Sequence, residues 1–374
     1  MNLRTLSLTQ LLSDPSLVER LVASGDSLLV ERAGPPRAAA AVASLANTLG
    51  GWVLVDGGPD PDLTVDPPAP HAAATVEVAG RQVHVIRVAA SGDTPHITPS
   101  GRVLVRDHDG TEPAGDDALR ELVARGEAGV AAAAARLNGL PLIELAMRTP
   151  ERLPGDAPIL DPDHMGHDAP LELIVRATPV TITRTLAAKV LTQEGADLAA
   201  AQAIPLLVDP DAVAHRVATT VEGRTRGIYV TAERGEAPIF ADLAIDAGGV
   251  VAARLAERRQ RDGTVTATGL VGEVLLPLLR TISGTLEGLD ATGRALVQLE
   301  IRGATDLMIE WTPELTDVVH IDELLDEHRL VLDGELVLPA GDADLNALAE
   351  RWRAPSHGRP ACPPGSPPSR FRRR

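Results

Sequence analysis

From Thr149 to Pro170 the chain passes through a stretch rich in Pro, Gly and Asp, opening Thr149-Pro150-Glu151-Arg152-Leu153-Pro154-Gly155-Asp156. Prolines and glycines at that density interrupt regular structure rather than continue it. The 374 residues are also more than one ordinary core organises. The break therefore reads as a linker (149–170) between a first domain over 1–140 and a second over 171–353. Apolar residues make up 44% of the chain, which excludes disorder throughout. Only residues 354–374, rich in Pro and poor in apolar anchors, are expected to be disordered.

Charge divides along the chain as well. Residues 1–140 hold 11 basic and 17 acidic groups, 141–350 hold 17 and 35, and 351–374 hold seven arginines and no acid. The overall −17 is thus an average over a mildly acidic domain, a strongly acidic one and a basic tail. One lysine, Lys189, stands among 34 arginines, in Arg184-Thr185-Leu186-Ala187-Ala188-Lys189-Val190. No glycine cradle surrounds it, so phosphate-loop, kinase and Ser-Lys chemistries are excluded. The single cysteine, Cys362, excludes an intrachain disulfide framework and a Cys-rich zinc site, and fits a reducing compartment. Gly-x-Ser-x-Gly, His-Glu-x-x-His and Gly-x-Gly-x-x-Gly do not occur. The first eight residues lack a signal-peptide apolar core, and no stretch approaches 18 uninterrupted apolar residues. The expectation is a cytoplasmic chain that does not enter a membrane and carries no cofactor.

Patterning predicts a mixed α/β first domain. Helical spacing runs over Pro15–Ser24, and a short strand over Ser27–Glu31. An alanine-rich helix opens at Pro35-Pro36 and stops at Gly50-Gly51, the usual placement of both residue types. Strands follow at Trp52–Val55, at Ala74–Ala79 and Arg81–Ala89 as a hairpin across Gly80, and at Val103–Val105. A helix over Gly115–Leu137 closes the unit. The second domain reads as α+β: a strand at Leu171–Arg176, helical stretches near Thr185–Leu191 and Leu198–Ala203, and an antiparallel meander over Arg216–Leu255. A helix over Gly269–Leu286 and strands at Ala295–Ile301 and Asp306–Trp311 complete it.

Ser44-Leu45-Ala46-Asn47-Thr48-Leu49-Gly50-Gly51-Trp52-Val53-Leu54-Val55 resembles the hallmark of the Schlafen-type AlbA_2 domain, roughly Ala-Phe-Ala-Asn-Thr-x-Gly-Gly before an apolar strand. The resemblance continues at Pro95, at Gly101-Arg102-Val103-Leu104-Val105-Arg106, and at Thr111, Pro113 and Ala114. Upstream, Glu31-Arg32 occupies the place of the family's Glu-Phe-Lys signature. Together these cover about residues 7–125. Leu45 replaces the motif phenylalanine, Asp56 replaces the glycine ending the second strand, and Arg32-Ala33 replaces Phe-Lys. The resemblance implies an Alba-like α/β unit and nucleic-acid binding, often in transcriptional regulators; a eukaryotic branch resembles a metal-dependent ribonuclease with three carboxylates.

Three readings follow. In the first, a non-catalytic regulator binds DNA or RNA through Arg32, Arg37, Asn47, Gly50, Gly51, Arg102 and Arg106, with Arg81 and Arg87 adding charge and the glycines admitting phosphate to backbone amides. The tail could serve as a flexible arm. Against it stands the acidity of the chain. Six aromatics (Trp52, Tyr229, Phe240, Trp311, Trp352 and Phe371) are too few for a single-strand stacking platform. In the second, the domain has kept the fold but lost nucleic-acid binding and serves as a protein-interaction or scaffold module, its partners engaged through the second domain. In the third, Asp26 and Glu31 with Asp56 or Asp60 hold a divalent metal for RNA cleavage. The plainer alternatives are a tight helix-to-strand connection at Asn47–Gly51 and a solvated turn at Asp26. Asp161-Pro162-Asp163-His164-Met165-Gly166-His167-Asp168 is the densest cluster of metal-ligand types but lies in the linker; Arg254, Arg258, Arg259 and Arg261 read first as a solvated edge. A homo-oligomer is compatible with all three.

Overall fold

The computed structural model describes residues 6–108, 110–139, 171–190, 215–222, 225–234, 237–246, 248–257, 265–266, 275–302, 308–310, 319–320 and 329–353, with Leu3 and Thr192. The expected linker, the acidic–histidine cluster at 161–168, the helical stretch at 198–203, Arg258, Arg259, Arg261 and the tail lie outside them.

Two short helices open the chain, α1 (Leu8–Leu12) and α2 (Pro15–Ala23). Ser7 and Gln10 form a reciprocal capping box on α1. Asp14 caps α2 by accepting from the Ser16 amide at 2.9 Å, with Pro15 in the first turn. Strand β1 (Val30–Ala33) leads through a 3₁₀ turn at Pro35–Arg37 into α3 (Ala38–Asn47), and β2 (Gly51–Asp56) returns parallel to β1. A hairpin follows, β3 (His71–Val78) and β4 (Arg81–Val88), turning at Ala79 and Gly80, both at positive φ. The four strands stand in the order β1-β2-β4-β3. Alternation along β2 decides the layering: Trp52 and Leu54 face α1 and α2, while Val53 and Val55 face α3. Buried on both faces, β2 needs the unbroken apolar run that the sequence supplies. A small hairpin, β5 (Leu104–Asp107) with β6 (Gly110–Pro113), packs beside α3.

Helix α4 (Asp116–Gly139) leads towards a larger sheet. This sheet comprises β7 (Leu171–Pro179), the meander β8 (His215–Glu222), β9 (Thr225–Arg234), β10 (Ala237–Asp246) and β11 (Val251–Glu257), then β13 (Gly293–Arg302) and β16 (Arg329–Leu338). The order is β16-β13-β7-β11-β10-β9-β8, antiparallel throughout. One face carries α5 (Arg184–Val190), α6 (Leu276–Gly288) and α7 (Asp342–Arg353) on a core of Leu173, Val175, Leu243, Ile282, Val297 and Trp352. Short strands β12 (Val265–Thr266), β14 (Met308–Glu310) and β15 (Val319–His320) form a separate small sheet. The fold is thus mixed, with predominantly antiparallel sheets covered by helices. Among the described residues no helix is long and apolar enough to cross a membrane.

The opposite face of the large sheet carries charge in its interior. Arg176 donates to Glu300 at 2.6 Å and to Gln298 at 3.4 Å, and all three are buried. The end of α4 leans on this face: Leu137 meets Ala244, Val250 and Leu296, while Arg136 donates to Thr178 and to the Pro179 carbonyl.

Candidate functional site

The stretches that carry the family resemblance meet in space. Glu31 on β1 is buried, and its Oε2 lies 3.1 Å from the Arg106 guanidinium on β5. Thr111 on β6 donates to the same oxygen at 2.7 Å and also contacts the Ser44 hydroxyl of α3 at 2.9 Å. Arg106 donates further to the Ser27 and Val30 carbonyls, so its fork is occupied on several sides. Four residues from positions 31, 44, 106 and 111 therefore form one polar knot between the small sheet, α3 and the hairpin. A buried carboxylate requires this kind of satisfaction, because an uncompensated charge there is strongly unfavourable.

Asn47 makes a second knot one turn further along α3. Its amide donates to the His96 and Leu104 carbonyls at 3.1 and 2.9 Å and accepts from the His96 amide at 2.8 Å. This reach goes beyond the helix-to-strand connection itself, since the partners lie 49 and 57 residues away. The helix then ends in the expected tight connection. Gly50 takes φ +67° and donates to the Leu45 carbonyl at 2.8 Å. A Cβ on Gly50 would lie 2.6 Å from the Ala90 nitrogen, and one on Gly51 2.5 Å from the Leu29 oxygen. Both glycines are buried against protein backbone.

The remaining arginines separate into inward and outward groups. Arg87 stacks 5.2 Å over the Trp52 ring and donates to the Leu6, Gly51 and Val88 carbonyls, and burial lowers its pKa. Arg106 faces inward on Glu31, which leaves no outward fork for a polyanion. Arg37, Arg81 and Arg102 are exposed. Arg32 is intermediate, 34% exposed and 3.6 Å from the Asp56 carboxylate.

The four carboxylates of the metal reading are not brought together. Asp26 accepts from the Arg32 backbone amide at 2.7 Å, Asp56 faces Arg32, and the exposed Asp60 stands 3.6 Å from His84. Glu31 is committed to Arg106. Among the described residues no group of three or more His, Cys, Asp or Glu side chains is placed to hold a metal ion. The residues present do not fit the metal of the ribonuclease branch. Arg254, expected at a solvated edge, is buried on β11, since its side chain points into the large sheet's second face.

A strap over 91–98 joins these features to the large sheet. The Ser91 amide donates to the Ala46 carbonyl of α3, and the Gly92 amide donates to Thr181 Oγ1 at 2.9 Å. Asp93, buried, takes a two-pronged bond from Arg294 at the start of β13. Thr94 donates to the Leu122 carbonyl of α4 at 2.7 Å, and Arg125 of α4 donates to Thr94 and to the Asn47 carbonyl. His96 and the Asp93–Arg294 pair are parts of this site that sequence reasoning missed. Asp93 and Arg294 lie 201 residues apart with no local pattern linking them.

No family model matches this sequence, and no curated protein matches it. Among solved structures, the DIP2311 protein from Corynebacterium diphtheriae is similar at 21% identity, over 28% of this chain and 26% of that one, with a TM-score of 0.22. The chain thus spans about a quarter of that protein, and a likeness so limited carries no argument about fold or function.

Proposed function

We propose that this chain is a non-catalytic, AlbA_2-like nucleic-acid-binding protein of regulatory type, with an Alba-like first unit. The observation supporting the reading is the polar knot of Glu31, Ser44, Arg106 and Thr111. Residues from separate stretches of the resemblance, spread over 81 positions from 31 to 111, share one interior site, as a common fold would have them do. On this reading Asn47, Gly50, Gly51 and Arg106 shape the unit, and the phosphate contacts fall to Arg32, Arg37 and Arg102. The five arginines of 354–374 act as an accessory arm.

The test is a salt titration of binding to duplex DNA, single-stranded DNA and RNA, with the full chain and with residues 354–374 removed. Removing one phosphate-neutralising arginine should flatten the slope of log K against log salt by about 0.9 for duplex DNA. Arg37→Ala and Arg102→Ala should each do so, by about one phosphate, without sequence preference. Absence of binding even at low salt overturns the reading. A second reading, a protein-interaction module, is favoured by one specific observation: two of the six first-unit arginines expected to offer charge, Arg87 and Arg106, point inward. It predicts a folded protein that ignores nucleic acid.

A further inference from the structure

The strap that links the two sheets contains a histidine with an incomplete set of partners. His96 has no solvent exposure. Its backbone is bonded in both directions by Asn47, and its Nδ1 lies 2.7 Å from the Pro67 carbonyl. A carbonyl only accepts, so Nδ1 carries the proton and Nε2 keeps a lone pair. Nε2 finds no hydrogen-bond partner among the described residues. The ring is therefore well matched to its pocket while neutral and poorly matched once charged, because a new Nε2–H would be a buried donor without an acceptor.

The charged groups around the ring come from four elements. Asp93 lies on the strap itself, Asp66 on the segment paired with it through Ile97, Arg125 on α4, and Arg294 beyond Asp93 on β13. Glu121 stands beside Arg125. Burial pushes the His96 pKa down. The Pro67 carbonyl, Asp93 and Asp66 oppose this, and Arg125 reinforces it. Asp93 is the acidic neighbour whose carboxylate also ties the strap to the large sheet, since it is bound to Arg294.

We propose that the strap is an acid-sensitive clasp, in which protonation of His96 draws Asp93 away from Arg294 and loosens the contact between the first unit and β13. In neutral solution the clasp is closed: Asp93 is bound to Arg294, and Gly92 to Thr181. A proton taken from solvent at Nε2 creates a second cation in the field of a carboxylate that already serves one. Rearrangement towards Asp93, or entry of water, is the way to satisfy it. The Gly92–Thr181 and Asp93–Arg294 bonds are the ones released.

The direct experiment follows the His96 ring by NMR and the Gly92 and His96 amides by hydrogen exchange, on the full chain between pH 7.5 and 4.5. Expected are a His96 titration below the ordinary value of about 6.5 and, over that same titration, a fall of about tenfold in protection of the Gly92 amide, while the His96 amide, held by Asn47, keeps its protection. In His96→Gln the protection should no longer change over that range. Should the variant fail to fold, the wild-type experiment decides by itself. Titration of His96 at its ordinary value, or titration with protection unchanged, overturns the clasp; so does an unchanged pH profile in a folded His96→Gln.

Discussion

At the scale of single residues, the energetics centre on charges and amides removed from water. Glu31 and Arg106 are each almost fully buried at 3.1 Å, so removing one strands the other. Arg106→Ala should destabilise the protein by about 3–5 kcal/mol, the range for breaking a buried pair from one side. Urea unfolding checks it, and a destabilisation of no more than about 1 kcal/mol, as for a surface pair, would mean that Glu31 finds solvent. Asn47→Ala leaves one amide and two carbonyls without their partner and should cost about 1–3 kcal/mol, while Asn47→Asp retains the acceptor and loses the donor. His96 adds a pH dependence. With its folded pKa lowered by burial, the unfolded chain takes up the proton first, so stability is full above about pH 6.5 and declines as pH falls below that value. Thermal unfolding from pH 7.5 to 5 should show the decline, reduced in His96→Gln. These residues were legible in the sequence through the family resemblance, whose motif positions include Glu31, Asn47 and Arg106. Their partners were not, because nothing local pairs position 31 with 106 or 47 with 96.

At the scale of elements, periodicity and punctuation account for most of what formed. The helix expected from Pro15 runs Pro15–Ala23, the alanine-rich helix runs Ala38–Asn47, and the meander strands lie at His215–Glu222, Thr225–Arg234, Ala237–Asp246 and Val251–Glu257. Helices α1 and α7 and strands β6, β12, β15 and β16 are additional to the expected set. In β16 the cause is its composition, since Asp333, Gly334 and Glu335 break the apolar run that marks a strand. Its pairing with β13 supplies what propensity does not, and Gly334 leaves room for Leu348 and Trp352 of α7. Helix α4 offers a sharper test. Gly126 and Gly129 sit inside it, where alanine would ordinarily favour the helix by about 1 kcal/mol. Here a Cβ on Gly126 would strike the Thr94 carbonyl and one on Gly129 the Gly92 carbonyl. Gly126→Ala should therefore destabilise, opposite in sign to helix propensity, as read by the urea midpoint.

At the scale of the whole molecule, specific contacts among the described residues join the two sheets: Asp93 with Arg294, Ser91 and Gly92 with Thr181, and the end of α4 on β7 and β13. For Arg294, burial alone would lower the pKa, but the bond to Asp93 raises it, as expected for a cation held by a carboxylate. Arg294→Ala should weaken this joint so that calorimetry resolves two transitions where the wild type shows more concerted unfolding. A single, unshifted transition would show that the joint does not couple the sheets. The sequence by itself determined most of the element types, the placement of the Gly50 turn, the excluded chemistries and the distribution of charge, because each follows from local spacing or from counting. Tertiary structure alone decided which arginines face solvent, that Glu31 and the other acidic candidates do not converge on one ion, and that Asp93 meets Arg294. Those outcomes depend on which strands lie side by side. A chain's periodicity fixes the face on which a residue lies, but only packing fixes what it meets there.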